Sequence, residues 1–473
     1  MTSTVPDSSH QQGHDPDGGA EQARPLLEPS EGIPSVVVDE PSLRAAAARL
    51  AAGTGPVAFD AERASGYRYS QRAYLVQIRR RGSGTHLVDP IAVPDLSCVQ
   101  DAVGTAEWVL HAANQDLPCL AEIGLRPTTL FDTELAGRLL GYERVGLGIM
   151  VEKVLGFSLE KGHSAADWST RPLPEPWLRY AALDVELLIE LRDALHGELA
   201  AQDKLRFARE EFAAIAAAPP REPRPELWRR TSGIHRVRNR RQLAAVRSMW
   251  TTRDRIARER DIAPGRVLPD SAIIDAVLRN PADVEALTQL SIFSGPRLRR
   301  TARTWFTALR EAAGLPEGAL PQAVAAGGDG LPPPSRWADR DPVAAARLAR
   351  VRACLGAIAT ERTMPVENLL EPALARRLAW SPPAAPAAPA EAEIVAELLR
   401  AGGARPWQVE LTAGPIASCL PDPPELPDPP ELPDPPEQAE PPERAEPPER
   451  AEPPELPEPP AGPAGLPIGN NLP

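Results

Sequence analysis

Tyr180-Ala181-Ala182-Leu183-Asp184 lies in a strongly helical run, and its two polar side chains, four positions apart, leave the helix on one face. Working outward, two acidic sites stand upstream. Phe59-Asp60-Ala61-Glu62 closes the apolar run Val57-Ala58-Phe59, and Asn114-Gln115-Asp116-Leu117 follows another apolar run. On a strand, Asp60 and Glu62 point to the same side. Asp60, Glu62, Asp116 and Asp184 would then share one surface with the Tyr180 phenol. Oxygen ligands of this kind suit two hard divalent cations that grip a phosphodiester while water attacks phosphorus. Each piece alone has an ordinary explanation. Asp-x-Glu is common in solvated turns, Asp116 has the residue type and place of a helix N-cap, and Tyr180 with Asp184 reads as a core tyrosine beside a surface acid. Their order within one α/β unit is what favours a shared site.

The surrounding pattern alternates strand and helix from 35 to about 215. Val57–Phe59 reads as a strand, Ala73–Arg79 as a second, Gly82-Ser83-Gly84 as a turn and Thr85–Val88 as a third. Glu107–His111 and Thr128–Phe131 follow as strands, with helices from about Gln115, over Asp132–Leu140, and over Leu173 to about Ala217, the last as two helices. Three strands followed by alternating helices and strands predict a mixed α/β sheet.

Six segments are expected: an acidic disordered arm at 1–32, an α/β domain at 33–217, a Pro/Arg/Glu linker at 218–226, and a bundle of four or five short helices at 227–313. A second helical module at 335–415 and a disordered Pro/Glu tail at 420–473 complete the chain. The tail repeats PDPPEL and then AEPPER and offers no apolar face to bury.

A hydrophobic content of 42% across 473 residues is enough for two or three packed cores. No apolar run approaches membrane-spanning length, and Met1–Glu31 lacks the apolar stretch of a secretory signal. Cys98, Cys119, Cys354 and Cys419 are scattered and the seven histidines lack ligand spacing, so neither a disulfide scaffold nor a zinc site is expected. The default location is cytoplasmic. The net charge of −13 is concentrated at the ends, and residues 226–260 carry eleven arginines against three acids, the footprint of a nucleic-acid binder. Arg236, Arg238, Arg240 and Arg241 are the candidates for that contact. With only three lysines in the chain, arginine is the default cation throughout.

Val57–Ile78 (VAFDAERASGYRYSQRAYLVQI), His111–Leu120 and Asp167–Leu188 (DWSTRPLPEPWLRYAALDVELL) resemble the three exonuclease motifs of ribonuclease D, in the DEDD subgroup with tyrosine in the third motif. Leu227–Ala313 resembles an HRDC domain, and 335–415 stands where that family carries a second HRDC-like domain. The resemblance implies a ribonuclease H-like exonuclease fold, followed by all-α HRDC-type domains, that removes 5′-mononucleotides from RNA 3′ ends. It implies two divalent cations, Mg2+ or Mn2+, with Asp60, Glu62 and Asp184 on one, Asp60 bridging to the second, Asp116 acting mainly through water, and Tyr180 orienting the nucleophile. The expected partner is RNA with a free 3′ end, such as a tRNA precursor, bound by a monomer without membrane or nucleotide cofactor. Ala61-Glu62-Arg63 departs from the family's Thr-Glu-Phe-like run. The rival readings are a DNA 3′–5′ exonuclease and a catalytically silent nucleic-acid scaffold, the second disfavoured by retention of all five site residues.

Overall fold

The computed structural model of the protein describes residues 23–160, 162–163, 165–220, 225–323, 330–383 and 390–421. Its strands are β1 (Arg24–Leu26), β2 (Val36–Val37), β3 (Thr54–Arg63), β4 (Ala73–Arg81), β5 (Gly84–Val88), β6 (Trp108–Leu110), β7 (Leu130–Asp132) and β8 (Phe157–Leu159). Six of them make the expected mixed sheet, in the order β2-β5-β4-β3-β6-β7. The β3–β4 and β4–β5 pairs are antiparallel, and β2, β6 and β7 each run parallel to the neighbour they pair with. Gly82 and Gly84, at φ +80° and +75°, make the reversal between β4 and β5, a conformation that disfavours residues with a Cβ.

β3 is the strand on which the rest is built. Val57, Ala58 and Phe59 are buried, and the Phe59 ring stacks on Trp108 of β6 at 3.8 Å. The sequence reading takes Val57–Phe59 as the apolar strand and sets Asp60 and Glu62 at its end. Pairing with β4, Asp60 opposite Gln77 and Glu62 opposite Leu75, carries it on to Arg63. The helix Glu175–Glu186 lies over β3, β4 and β5, where Ala181 and Ala182 let it approach closely. The stretch 173–217 forms three helices rather than two, Glu175–Glu186, Leu188–Ala201 and Leu205–Ala216, broken at Leu187 and at Gln202–Lys204.

Residues 227–313 contain helices Arg240–Arg260, Pro264–Val267, Asp270–Arg279, Val284–Thr288 and Pro296–Ala313 around a separate core that includes Val246, Met249, Ile273, Phe293 and Trp305. The first and last, of 21 and 18 residues, are longer than the short helices expected. Asn239 and Asp283 cap two of the five by accepting backbone N–H groups.

Two further expectations change. The arm expected through residue 32 gives way earlier to structure. β1 pairs with β8, Ser30 donates to the Glu186 carboxylate from its N–H (3.0 Å) and its hydroxyl (2.5 Å), and Glu28 pairs with Arg179 at 2.9 Å. Polar composition hid these anchors, because their partners lie over a hundred residues away. Residues 1–22 and the tail beyond 421 lie outside the described residues. The second helical module is largely not self-contained either. Its helices Pro342–Glu361, Pro372–Trp380, Ala390–Ala401 and Pro406–Cys419 bury Val351, Leu355, Leu399, Trp407 and Ile416 in the same core as the sheet domain. Trp407 stacks on Phe207 at 4.6 Å and its indole N–H donates to Glu211 at 3.1 Å. Lys204 Nζ donates to the carbonyls of Leu139 (2.7 Å) and Thr363 (3.2 Å), and a Cβ on Gly141 would stand 2.5 Å from the Thr363 oxygen. Among the described residues, no helix is long and apolar enough to cross a membrane.

This shared core makes the C-terminal helices part of the stability of the sheet domain. Trp407→Ala should lower the unfolding free energy by about 3–5 kcal/mol in urea titration of the full chain. A loss below about 1 kcal/mol would show that the shared core is not what holds these helices.

Candidate active site

Asp60 and Glu62 leave β3 on one face because strand residues two apart do so. The helix Glu175–Glu186, opened by Pro174-Glu175-Pro176, crosses above them and lowers Asp184 and Tyr180 into place. One carboxylate oxygen from each of Asp60, Glu62 and Asp184 lies within 4.8 Å of the others. The Tyr180 phenol sits against Asp184, one helical turn apart as the spacing required.

Asp116 is the fourth carboxylate. Its turn follows β6 and begins at Ala112, which adopts a left-handed φ of +58°. Asp132 at the end of β7 fixes that turn. Buried to 2% exposure, it accepts the N–H groups of Ala112 (3.1 Å) and Ala113 (2.9 Å) as well as those of Glu134 (2.9 Å) and Leu135 (3.1 Å). The Asp116 side chain does not cap the helix Leu117–Glu122. It turns instead to Arg63, whose guanidinium stands 3.3 Å away. Asp116 therefore borders the three-carboxylate cluster without being among the oxygens that meet within 4.8 Å.

Crowding acids in a poorly solvated place favours their neutral forms. Burial pushes the Asp60 carboxyl up to about 6, while the Ala61 backbone and Arg63 oppose the rise. Burial, and then the charge of Asp60, raises Asp116 to about 8 against the pull of Arg63. Glu62 and Asp184 are raised by burial and by the neighbouring carboxylates. The same causes raise the Tyr180 phenol and keep it protonated at neutral pH. Oxygen donors short of positive charge fit hard divalent cations, with Asp60, Glu62 and Asp184 placed to hold one. A cleft of about 350 Å³ opens beside them, lined by Glu62, Arg63, Ser65, Gly66 and Gln115 among others.

The cleft wall is braced by the helical domain. Asp261 accepts the N–H groups of Tyr69 (3.1 Å) and Ser70 (2.9 Å), Tyr69 donates its hydroxyl to Asp254 (3.0 Å), and Arg266 donates to the Gly66 carbonyl (2.7 Å) while lying over the Tyr67 ring. The Asp167-Trp168-Ser169…Arg171 signature proves architectural. Arg171 grips both oxygens of Asp89, at 2.7 and 2.9 Å, and donates to the Tyr74 and Trp168 carbonyls. His111 is half-buried and pushed down to about 4 by its poorly solvated surroundings, with Nδ1 2.9 Å from the Thr133 hydroxyl, in keeping with a structural role.

Of the four candidate nucleic-acid arginines, Arg236 and Arg238 are exposed. Arg240 donates to the carbonyls of Leu320 and Pro321, both at 3.0 Å, and Arg241 donates to those of Ala313 and Leu315 and pairs with Glu317 at 2.8 Å. Arg229, Arg253, Arg255 and Arg258 also have acidic partners, so much of the positive charge of 226–260 is spent inside the domain.

Arg63 and Asp132 were not singled out from the sequence as site residues. For Asp132, the Asp-Thr step after an apolar run was a capping signal; for Arg63, the departure from the family run was the only signal.

Comparison with known proteins agrees with the geometry. Residues 34–200 match the family described as 3'-5' exonuclease, 242–309 the HRDC domain, and 330–420 the 3' to 5' exonuclease C-terminal domain. Ribonuclease D of Acidiphilium cryptum (strain JF-5) is 33% identical over 229 residues, 48% of this chain and 58% of that protein. Ribonuclease D of Shewanella sp. (strain ANA-3) is 32% identical over 274 residues, 56% of this chain and 69% of that one. A crystal structure of a protein from Bifidobacterium adolescentis is similar with a TM-score of 0.76 and 38% identity, covering 84% of this chain and 99% of the other. For several curated relatives the chain spans a little over half of their length, 58%, 55% and 54% in three cases.

The raised carboxyls link pH, stability and cation binding. Each holds its proton to higher pH in the folded chain than in the unfolded one, so its stabilising effect is complete below the ordinary carboxylate range and is lost as pH rises through the folded values. Cations replace those protons, so the rise in Tm produced by Mg2+ should be larger at about pH 8.5 than at about pH 5.5. A Mg2+ response that does not change with pH would count against the cluster as its source.

Proposed function

The chain belongs to the ribonuclease D family, and on that premise we propose that it is a metal-dependent 3′–5′ exoribonuclease that releases 5′-mononucleotides from RNA 3′ ends, tRNA precursors among them. The observation that carries this reading is the meeting of Asp60, Glu62 and Asp184 within 4.8 Å beneath Tyr180.

Asp60, Glu62 and Asp184 would hold one divalent cation, and Asp60, with Asp116 acting mainly through water, would serve a second; Mg2+ or Mn2+ suits these oxygen donors. When bound, such a pair acidifies the attacking water and offsets charge on the phosphate and the leaving oxygen. The protein does the rest by positioning. Tyr180 holds its phenolic proton at neutral pH, so it orients the nucleophilic water by hydrogen bonding instead of abstracting its proton. Asp184 anchors that phenol from one turn along the same helix. Asp132 keeps the Asp116 turn in register with β3. The cleft lined by Glu62, Ser65, Gly66 and Gln115 receives the terminal nucleotide.

We assign catalysis to 33–217 and substrate holding to 227–313, where exposed Arg236 and Arg238 are the phosphate contacts. The helices of 335–415 buttress the catalytic domain, and the enzyme acts as a monomer in the cytoplasm. The same carboxylates would serve on DNA, since metal ligands do not read the sugar. The RNA assignment rests on the family.

A 3′-labelled tRNA precursor and length-matched RNA and DNA strands, each with and without EDTA, test the reading. Labelled mononucleotide should appear from RNA, faster than from DNA, and stop with EDTA. Asp60→Ala and Asp184→Ala should each lower turnover by roughly 10²-fold or more, and Tyr180→Phe by roughly 10²-fold with RNA binding unchanged. Release that persists in EDTA, or full activity of Tyr180→Phe at saturating Mg2+, contradicts the mechanism.

A further inference from the structure

We propose that Arg63 is a resident counter-cation of the carboxylate cluster: in the metal-free protein its guanidinium holds, at Asp116, the place of one divalent cation, and it moves to the substrate phosphate when that cation binds. This deepens the reading above and rests on it.

Three observations carry the inference. On a regular strand Arg63 would point away from the face that bears Asp60 and Glu62. The β3–β4 pairing slips between Glu62 and Arg63, with Glu62 opposite Leu75 and Arg63 opposite Ala73, so the ladder is irregular where β3 ends and β4 carries one extra residue, Tyr74. Arg63 nevertheless reaches Asp116 at 3.3 Å, with only 26% of its own side chain and 8% of that of Asp116 exposed. Asp116 is also the one of the four carboxylates that stands outside the group meeting within 4.8 Å, as expected of a ligand engaged by another cation.

The third observation is that Arg63 has somewhere to go. It lines the cleft of about 350 Å³ beside Ser65, Gly66 and Gln115. A guanidinium freed there meets an incoming phosphate, which it can bind with two parallel hydrogen bonds.

Unequal cation steps follow. The group of Asp60, Glu62 and Asp184 fills first. The step that needs Asp116 must displace Arg63 and is weaker, until a phosphate in the cleft offers the guanidinium a new partner. Full loading of the site is thereby tied to the presence of substrate.

Calorimetric titration of the metal-stripped full chain with Mn2+ tests this, alone and with 5′-AMP as the phosphate probe. Wild-type protein should show a tight and a weaker step, with 5′-AMP tightening the weaker one. R63M should tighten the weaker step by roughly tenfold, leave the tight one within about twofold, and lose the response to 5′-AMP. R63K should fall between. If R63M does not fold, R63Q is read in the same titration. A weaker step that is unchanged or further weakened on removing the guanidinium would make Arg63 a fixed strut for Asp116 and overturn the proposal. If wild-type protein takes up no Mn2+, the metal-dependent reading itself fails and this inference falls with it.

Discussion

Like charges held close together in a poorly solvated place are the constraint on which this structure turns. Asp60, Glu62 and Asp184 repel one another when ionised, and each is driven toward its neutral form chiefly by burial, to which neighbouring carboxylates add at Glu62 and Asp184. Something rigid must hold them together. β3 supplies it, pinned between β4 and β6 with Val57, Ala58 and Phe59 buried and Phe59 stacked on Trp108. The helix carrying Asp184 cannot retreat, because Ala181 and Ala182 seat it directly on the sheet and Glu186 at its end is tied to Arg79 and Ser30. The binding potential of the site is thus built into the fold as unrelieved charge.

The supports lie in layers. Asp132 orders the turn before Asp116, Arg171 ties the third-motif loop to Asp89, and the helical domain clamps the 66–70 loop through Asp254, Asp261 and Arg266. The C-terminal helices back the catalytic core at Lys204, Phe207 and Glu211. The helical domain is therefore joined to the cleft wall itself.

Much of this was legible in the sequence wherever local rules decide. The two-residue spacing of Asp60 and Glu62 and the four-residue spacing of Tyr180 and Asp184 translate directly into shared faces. The alternation of strands and helices gave the mixed sheet. Legibility failed where partners are distant in the chain. Arg24–Leu26 is a strand only because Phe157–Leu159 is there to pair with it. The reach of β3 beyond Phe59 depends on β4, and the joining of 342–420 to the sheet core depends on Phe207 meeting Trp407. Asp116 has the residue type and place of a helix cap but is claimed by Arg63, an ion pair no spacing rule anticipates. The arginine-rich stretch misled in the other direction, since Arg240 and Arg241 bind carbonyl oxygens of their own domain.

The claim at the centre is that these oxygens form a seat for a divalent cation. Crystals of the wild-type protein soaked in Mn2+ and measured for anomalous scattering test it most directly. The account predicts a peak coordinated by Asp60, Glu62 and Asp184. Density elsewhere on the protein, with none between those three carboxylates, would contradict it.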